Sequence, residues 1–478
     1  MSTTSKVTAR ERINNLLDDN SFVEIGAQVK ARSTDFDLQT VDTPSDGVIT
    51  GYGIIDGQLV YVYSQDSSVL GGSVGEMHAK KILNIYNMAM KTGSPVIGLI
   101  DSAGLRLQES DDGLNAFGRI YLKQSMASGV IPQITAIFGK CGGGLSVVAG
   151  LSDFTFMEKD NAQLFVNAPN AIDENRKEVC DTASAEYQSK EAGNVDFIGT
   201  EAEVLEGIRD LISILPADNE SGEVIDMDVD DDLNRAVEGI ETQIDDAALA
   251  MRNLSDDGFV IEVKKDYAPE MFTGFIKLDG ATVGVVANRT KIYDDEMNVT
   301  AEFESKLTYK GCDKAARFVD FCDAFDISIL TFTNINGFAT TKCQEAKVAK
   351  STAKLVYAFT NATVPKVNVI VGEAFGSSYI AMNSKTLGAD VVYAWPDAKI
   401  GMMDATAAAK IMFAGQDVDI AEKAAEYDAL QNSVEATASR GYVDSIIDPI
   451  NTRKYVIGAF EMLCTKYEER PGKKHGTV

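Results

Sequence analysis

Short apolar runs recur along the chain, separated by longer stretches with helical spacing. "QITAIF" and "KVNVIV" show no in-out alternation, which predicts strands buried on both faces. "DGLNAFGRIYLKQSMASG" and "AKVAKSTAKLVYAFTNA" read as helices between such strands. "GEMHAKKILNIYNMAMK" has helical period as well. Strands joined through helices imply mostly parallel pairing and an α/β fold.

The pattern occurs twice. "SPVIGLIDSAGLRLQE" (Ser94 to Glu109) lies over "ISILTFTNINGFATTK" (Ile327 to Lys342), placing Gly104 on Gly337 at an offset of 233. The same offset sets "IPQITAIFGKCGGGLSVV" on "VPKVNVIVGEAFGSSYIA". Pro132 then meets Pro365, Gly139 meets Gly372 and Gly143 meets Gly376. One offset kept over two separate segments predicts two copies of one domain. Both copies open on strands with Asp-Gly turn signals, "DGVITGYGIIDGQLVYVYSQD" and "MFTGFIKLDGATVGVVANR". The acidic, polar stretch from Leu215 to Arg235 reads as the join. The expected division is residues 1–220, a linker at 221–235, and residues 236–478.

Each copy runs strand, glycine-rich turn, helical segment. A helix opening on glycine or serine leaves its first N–H groups unpaired, and small residues let a ligand oxygen approach them. The helix dipole adds attraction for negative charge. Gly143 and Gly144, and in the second copy Ser377 and Ser378, are therefore expected to form two oxyanion holes. Such donors serve a carbonyl that becomes an enolate or a tetrahedral oxyanion. The competing reading, that these glycines only permit close strand-to-helix packing, is weakened by their appearance at one place in both copies.

Composition narrows the chemistry. The chain has 478 residues, too many for one ordinary core. A net charge of −28 argues against nucleic-acid or anionic-membrane partners. The N-terminal sequence lacks a signal-peptide core and no apolar run is long enough to span a membrane, so a cytoplasmic location is expected. Six scattered cysteines, Cys141, Cys180, Cys312, Cys322, Cys343 and Cys464, lack CxxC spacing and are expected as buried free thiols, with no metal site. Of two histidines, His475 lies in a polar tail, which leaves His78 alone. That disfavours a Ser-His-Asp hydrolase. The helical period around His78 predicts a helix-surface histidine.

These residues reach a family. The stretches "GGSVGEMHAKKI", "SPVIGLIDSAGLRLQE", "ASGVIPQITAIFGKCGGG", "LSDFTFM", "GCDKAARFVDFCDAF", "VPKVNVIVGEAFGSSYIAM" and "GADVVYAWPDAKIGMM" resemble, in order, carboxyltransferase subunits of biotin-dependent acyl-CoA carboxylases and decarboxylases. The resemblance covers nearly the whole chain. It implies a tandem pair of ClpP/crotonase-like domains, with acyl-CoA on the N-terminal domain and carboxybiotin on the C-terminal one. It implies movement of CO2 between the biotin ureido nitrogen and the carbon α to a thioester, of propionyl-CoA or methylmalonyl-CoA type. One hole would hold the thioester enolate and the other the ureido oxygen. Biotin's ureido nitrogen can act as base, which suits a chain poor in histidine. Ala103 and Gly104 would line the CoA side, and Gly376 the biotin side. Arg106 would either reach a CoA phosphate or pair with Glu109.

The resemblance further implies a biotin carboxyl carrier protein as partner, with either a biotin carboxylase or a membrane decarboxylase subunit. It implies a homo-oligomer, a hexamer built as a trimer of dimers. "AMKT" at Ala89 to Thr92 mimics a biotin attachment motif, but Lys91 closes a helical pattern before Gly93. No phosphate-binding GxxxxGK[ST] occurs. Biotin is thus expected on a separate carrier.

The chain also departs from the family. "DSAGLRLQES" stands for "DSGGARIQEG", "GSS" (Gly376 to Ser378) for Gly-Gly-Ala, and "FVNAP" (Phe165 to Pro169) for "FITGP". "MMDATAA" puts Asp404 and Ala407 at glycine positions of "MGxxGA". The side chain of the second hole's serine is expected to narrow the approach. Within the family, a carboxylase and the transfer subunit of a sodium-pumping methylmalonyl- or glutaconyl-CoA decarboxylase are both open. A biotin-independent crotonase-type enzyme and an inactive scaffold subunit are the readings outside it.

Overall fold

A computed structural model gives the fold and describes residues 7–33, 35–172, 181–222, 224, 229 and 231–471. The chain divides into two compact units, Met1–Gly222 and Glu223–Val478. Within the stretch read as a linker, Asp231 and Arg235 pair with each other, and Arg235 also donates to the carbonyls of Asn253 and Ser255 in the second unit.

The first unit runs α1 (Ala9–Leu16), β1 (Val23–Glu24), β2 (Val48–Ile55), β3 (Gln58–Gln65), α2 (Glu76–Thr92), β4 (Val96–Ser102), α3 (Ser110–Ala127), β5 (Gln133–Gly142), α4 (Gly144–Gly150), β6 (Phe154–Glu158), β7 (Gln163–Phe165), α5 (Ala185–Lys190), β8 (Phe197–Gly199) and α6 (Glu201–Ile214). The second runs α7 (Ile240–Gln243), α8 (Ala247–Leu254), β9 (Val260–Glu262), β10 (Met271–Leu278), β11 (Ala281–Asn288), β12 (Lys291–Tyr293), β13 (Val299–Glu302), α9 (Tyr309–Ala324), β14 (Ser328–Asn336), α10 (Lys342–Glu345), α11 (Val348–Asn361), β15 (Lys366–Phe375), α12 (Gly376–Ala381), β16 (Val391–Ala394), β17 (Lys399–Gly401), α13 (Ala405–Met412), α14 (Ile420–Tyr427), α15 (Val434–Ala438), β18 (Ser445–Ile446) and α16 (Thr452–Leu463).

The two main sheets have one topology. The first is ordered β1-β2-β3-β4-β5-β6-β8 with β7 beside β5, and the second β9-β10-β11-β14-β15-β16-β18 with β17 beside β15. In each, the leading hairpin is antiparallel and every later pair is parallel. The hairpins turn at Asp56-Gly57 and Asp279-Gly280, all four residues at positive φ, the conformation for which Asp-Gly is selected. Apolar runs on both sheet faces fill the cores, around Val96, Ile100 and Ile137 in one unit and Val285, Leu330 and Val369 in the other.

The offset of 233 survives at atomic detail. Isolated parallel bridges join Val74 to Leu105 and Leu307 to Phe338, each partner displaced by that offset. Val96 N–H donates to Pro132 carbonyl at 3.0 Å, and Ile329 N–H to Pro365 carbonyl at 2.8 Å. Lys81 and Lys314, also so related, are both buried. Each ammonium binds backbone carbonyls before its helix, Ser45 and Val48 for one, Lys264 and Tyr267 for the other. Burial pulls Lys81 down to about 8 and Lys314 to about 7.

Two expectations are corrected. His78 is fully buried rather than on a helix surface. Its Nδ1 lies 2.9 Å from the Asp46 carbonyl and its Nε2 3.2 Å from Gln65. Burial first, and then the Arg106 charge, lowers its pKa to about 3. Cys141, Cys312 and Cys322 are buried, but Cys343 and Cys464 are exposed. Cys180 and His475 lie outside the described residues. Lys91 is in the last turn of α2, which Gly93 ends at φ 56°. Among the described residues no helix is long and apolar enough to cross a membrane.

Candidate functional site

Three glycines lead from the end of β5 into α4, and each is small for its own reason. A Cβ on Gly142 would lie 2.6 Å from the Phe165 ring. Gly143 has φ 61° and ψ −129°, a conformation that side chains oppose. A Cβ on Gly144 would lie 2.8 Å from the Tyr121 hydroxyl oxygen. Upstream, Gly139 makes room for the Asp101 carboxylate, and Gly372 makes the same room for Asn334.

The Gly143 N–H is not a free donor. It is bonded to the Phe165 carbonyl at 2.9 Å, because β7 continues alongside the turn. The N–H groups of Gly144 and Leu145 carry no partner among the described residues. Leu145 was missed in sequence, although the offset itself places it on Ser378. The Tyr121 hydroxyl donates to the Gly144 carbonyl at 2.6 Å. That carbonyl shares a peptide unit with the Leu145 N–H. The bond fixes the plane of this peptide and polarises its donor. Tyr121 stacks on Phe117, with ring centroids 6.0 Å apart.

In the second unit Gly376 takes φ 65°, matching Gly143. The N–H groups of Ser377 and Ser378 are likewise without partners among the described residues. The Ser378 side chain does not narrow the approach. It is fully buried, donates to the Phe375 carbonyl at 2.7 Å and accepts from the Gly337 N–H at 3.0 Å. Ser377 is exposed and opens, with Gly376, on a cavity of about 560 Å³ walled by Ile380, Met402, Tyr427 and Tyr442. Asp404, a departure from the family, is the N-cap of α13, accepting the Ala407 N–H at 3.0 Å.

The turn after β4 holds Gly104 at φ 94°, and the turn after β14 holds Gly337 at φ 90°. Ala103 is exposed and lines a cleft of about 890 Å³ with Arg12, Asp101, Lys140, Glu158 and Glu201. Its N–H is bonded to Gly71, and that of buried Gly104 to the Ser102 hydroxyl at 3.1 Å.

Arg106 does not reach toward a CoA phosphate. It is 1% exposed and pairs with Asp46 at 2.7 Å and Glu109 at 2.8 Å. Its other donors go to the Ser73 hydroxyl, the Ser73 carbonyl and the Asp46 carbonyl. All five guanidinium hydrogens are thereby used. Burial raises the Asp46 pKa, against the opposing pull of Arg106.

Among the described residues no cluster of three His, Cys, Asp or Glu is placed to hold a metal. Residues 2–478 match the carboxyl transferase domain family. The methylmalonyl-CoA decarboxylase subunit alpha of Veillonella parvula is 40% identical, over 99% of this chain and 93% of its own length. The propionyl-CoA carboxylase beta chain of Roseobacter denitrificans is 39% identical, over 99% and 94%. A crystal structure of transcarboxylase 12S, a hexamer with hydrolysed methylmalonyl-coenzyme A bound, superposes with a TM-score of 0.91 at 37% identity. That match covers 98% of this chain and 92% of the other.

Proposed function

The chain belongs to the carboxyl transferase domain family, and we propose that it moves a carboxyl group between a short malonyl-type acyl-CoA and biotin borne on a separate carrier protein. The observation that carries this reading is the repeated turn, with two N–H groups at Gly144 and Leu145 and two more at Ser377 and Ser378 that have no partner among the described residues.

Two oxygens need stabilising in this reaction, and there are two sets of donors. When the bond from the α-carbon to the carboxylate breaks, its electron pair moves onto the thioester oxygen. The Gly144 and Leu145 amides hold that oxygen as an enolate, and Tyr121 keeps the peptide that carries the Leu145 N–H aligned. Biotin supplies a ureido nitrogen that takes the carboxyl group, while its proton passes to the α-carbon. The Ser377 and Ser378 amides hold the ureido oxygen. The 560 Å³ cavity fits a compact bicyclic ligand with one polar edge, since aromatic and aliphatic walls meet the free Ser377 amide. Neither step needs a histidine. Ala103 and Gly104 shape the acyl-CoA side without donating an N–H, and Gly376 sets the backbone on the biotin side.

A homo-oligomer follows in this reading, as in the hexameric transcarboxylase 12S, with a biotin carboxyl carrier protein as partner and a cytoplasmic setting. The carboxylase and the decarboxylase relatives are equally similar at 39% and 40%. The second partner, a biotin carboxylase or a membrane decarboxylase subunit, sets the direction of transfer.

The test mixes the protein with free biotin and a panel of malonyl-, methylmalonyl- and glutaconyl-CoA, and follows loss of carboxylate by mass. Biotin-dependent turnover of one member is expected. Turnover without biotin supports the crotonase-type alternative. CoA binding with no turnover of any member supports the scaffold alternative.

A further inference from the structure

The cavity at Ser377 carries an uncompensated charge. Among the described residues lining it, Arg440 is the one with a charged side chain. One terminal nitrogen of Arg440 donates to the Gln431 side-chain oxygen at 3.0 Å. No carboxylate pairs with it among the described residues. The first unit's cleft differs, since Arg12 and Lys140 there share the lining with Asp101, Glu158 and Glu201. In a chain of net charge −28, a cavity with a cation and no acid is a local attractor for anions.

We infer that Arg440 recognises the carboxylate that biotin carries when loaded, so that this cavity distinguishes loaded from unloaded biotin. The inference rests on reading the cavity as the biotin site. The ureido ring of unloaded biotin is neutral and is served by the Ser377 and Ser378 amides. Loading adds one negative charge, spread over two oxygens in a plane. A guanidinium is planar, weakly hydrated and presents paired N–H donors to such a group. Gln431 holds one arm of Arg440 and leaves the others for a ligand. Arg440 is exposed, so water competes and the preference is moderate rather than absolute.

Calorimetry on the full chain tests this with two stable probes. One is biotin amide, which is neutral. The other is biotin amide bearing a carboxymethyl group on the ureido nitrogen N1, which adds a carboxylate. The wild type is expected to bind the anionic probe about tenfold more tightly. Arg440→Gln removes that preference and leaves biotin amide binding within about twofold, and Arg440→Lys keeps part of it. Raising the salt concentration shrinks the wild-type preference. Equal affinities in the wild type, or equal losses of both probes in Arg440→Gln, overturn the inference and leave the biotin reading standing. Failure of both probes to bind the wild type overturns the cavity assignment, and the inference with it.

Discussion

In the first unit the Gly104 amide is held by the Ser102 hydroxyl, on its own turn. In the second unit the matching Gly337 amide is held by the Ser378 hydroxyl, from the turn after the next strand. Ile335 stands where Ser102 would be, and Leu145 stands where Ser378 would be. The hydroxyl has changed element, yet the two turns keep φ 94° and 90°. What the two copies share is a satisfied backbone amide, since a buried one left unpaired costs free energy. The residue that does it is free to differ. The opposite holds at the walls. Phe117 and Tyr121 flank the first turn, while Lys350 and Lys354 occupy those positions in the second. Lys354 is turned to Asp313. Backbone accounting is common to both units, and the surroundings of the free amides are specific to each ligand.

The largest expected break in this comparison is Gly144→Val. A Cβ there meets the Tyr121 hydroxyl, whereas position 377 already carries a side chain. Transfer should fall by about two to three orders of magnitude with circular dichroism unchanged. An active, folded Gly144→Val returns this glycine to a packing role.

Acid should separate the units next. His78 is held neutral with a pKa near 3, against about 6.5 when unfolded. Below about pH 6.5 the unfolded state binds the extra proton, so stability falls as pH falls, and the loss continues to about pH 3. Between pH 7 and pH 5 this amounts to about 2 kcal/mol for the first unit. Gly311 occupies the matching position of the second unit, which lacks this term. Hydrogen exchange resolved by unit should show the first loosening, with the slope removed in His78→Gln.

Ser102→Ala and Ser378→Ala should be equivalent. Each leaves a backbone N–H unpaired, buried at Gly104 and half-buried at Gly337, at about 1–3 kcal/mol. Trp395, the single tryptophan, reports the second unit. Its fluorescence midpoint in denaturant should drop for Ser378→Ala only. A shift for Ser102→Ala would refute independent unfolding of the two units.

The smallest effect concerns Tyr121→Phe. Loss of the hydroxyl bond to Gly144 should lower kcat about fivefold with little change in KM for the acyl-CoA. A rise in KM alone would make Tyr121 a wall and not a positioning residue.

The repeat and its glycine turns were legible because backbone conformation dictated them. Gly104, Gly337, Gly143 and Gly376 all sit at positive φ, where composition has little freedom. The amide count was harder to read. Whether Gly143 or Leu145 offers a free N–H depends on Phe165, which pairs with the turn only after β6 has been crossed. For a related reason His78 was misread and Arg106 only half read, since its pair with Glu109 was one of its two expected roles while Asp46 was not foreseen. Their partners, Asp46 above all, lie 32 and 60 positions away. A helical period cannot tell a solvated polar residue from one neutralised by a distant partner. Arg440 gave no signal at all, because its meaning comes from the absence of an acid among the described residues that line its cavity.

Both units are continuous in sequence, with the first closing at Gly222 and 256 residues following it (478 − 222). Continuity has a consequence for synthesis. At about 5–20 residues per second, the 105 residues between Gly222 and the start of β14 at Ser328 (327 − 222) take about 5–20 s to emerge. Sheets dominated by crossovers fold in about milliseconds to seconds. The first sheet can therefore close before β14 and β15 exist to compete with β4 and β5 for partners. A chain carrying two near-copies of one strand order is exposed to cross-pairing when refolded from denaturant, where all strands are present at once. Vectorial emergence from the ribosome removes that choice by timing. Refolding yield in dilute buffer should thus fall below the yield from cell-free translation at the same final concentration.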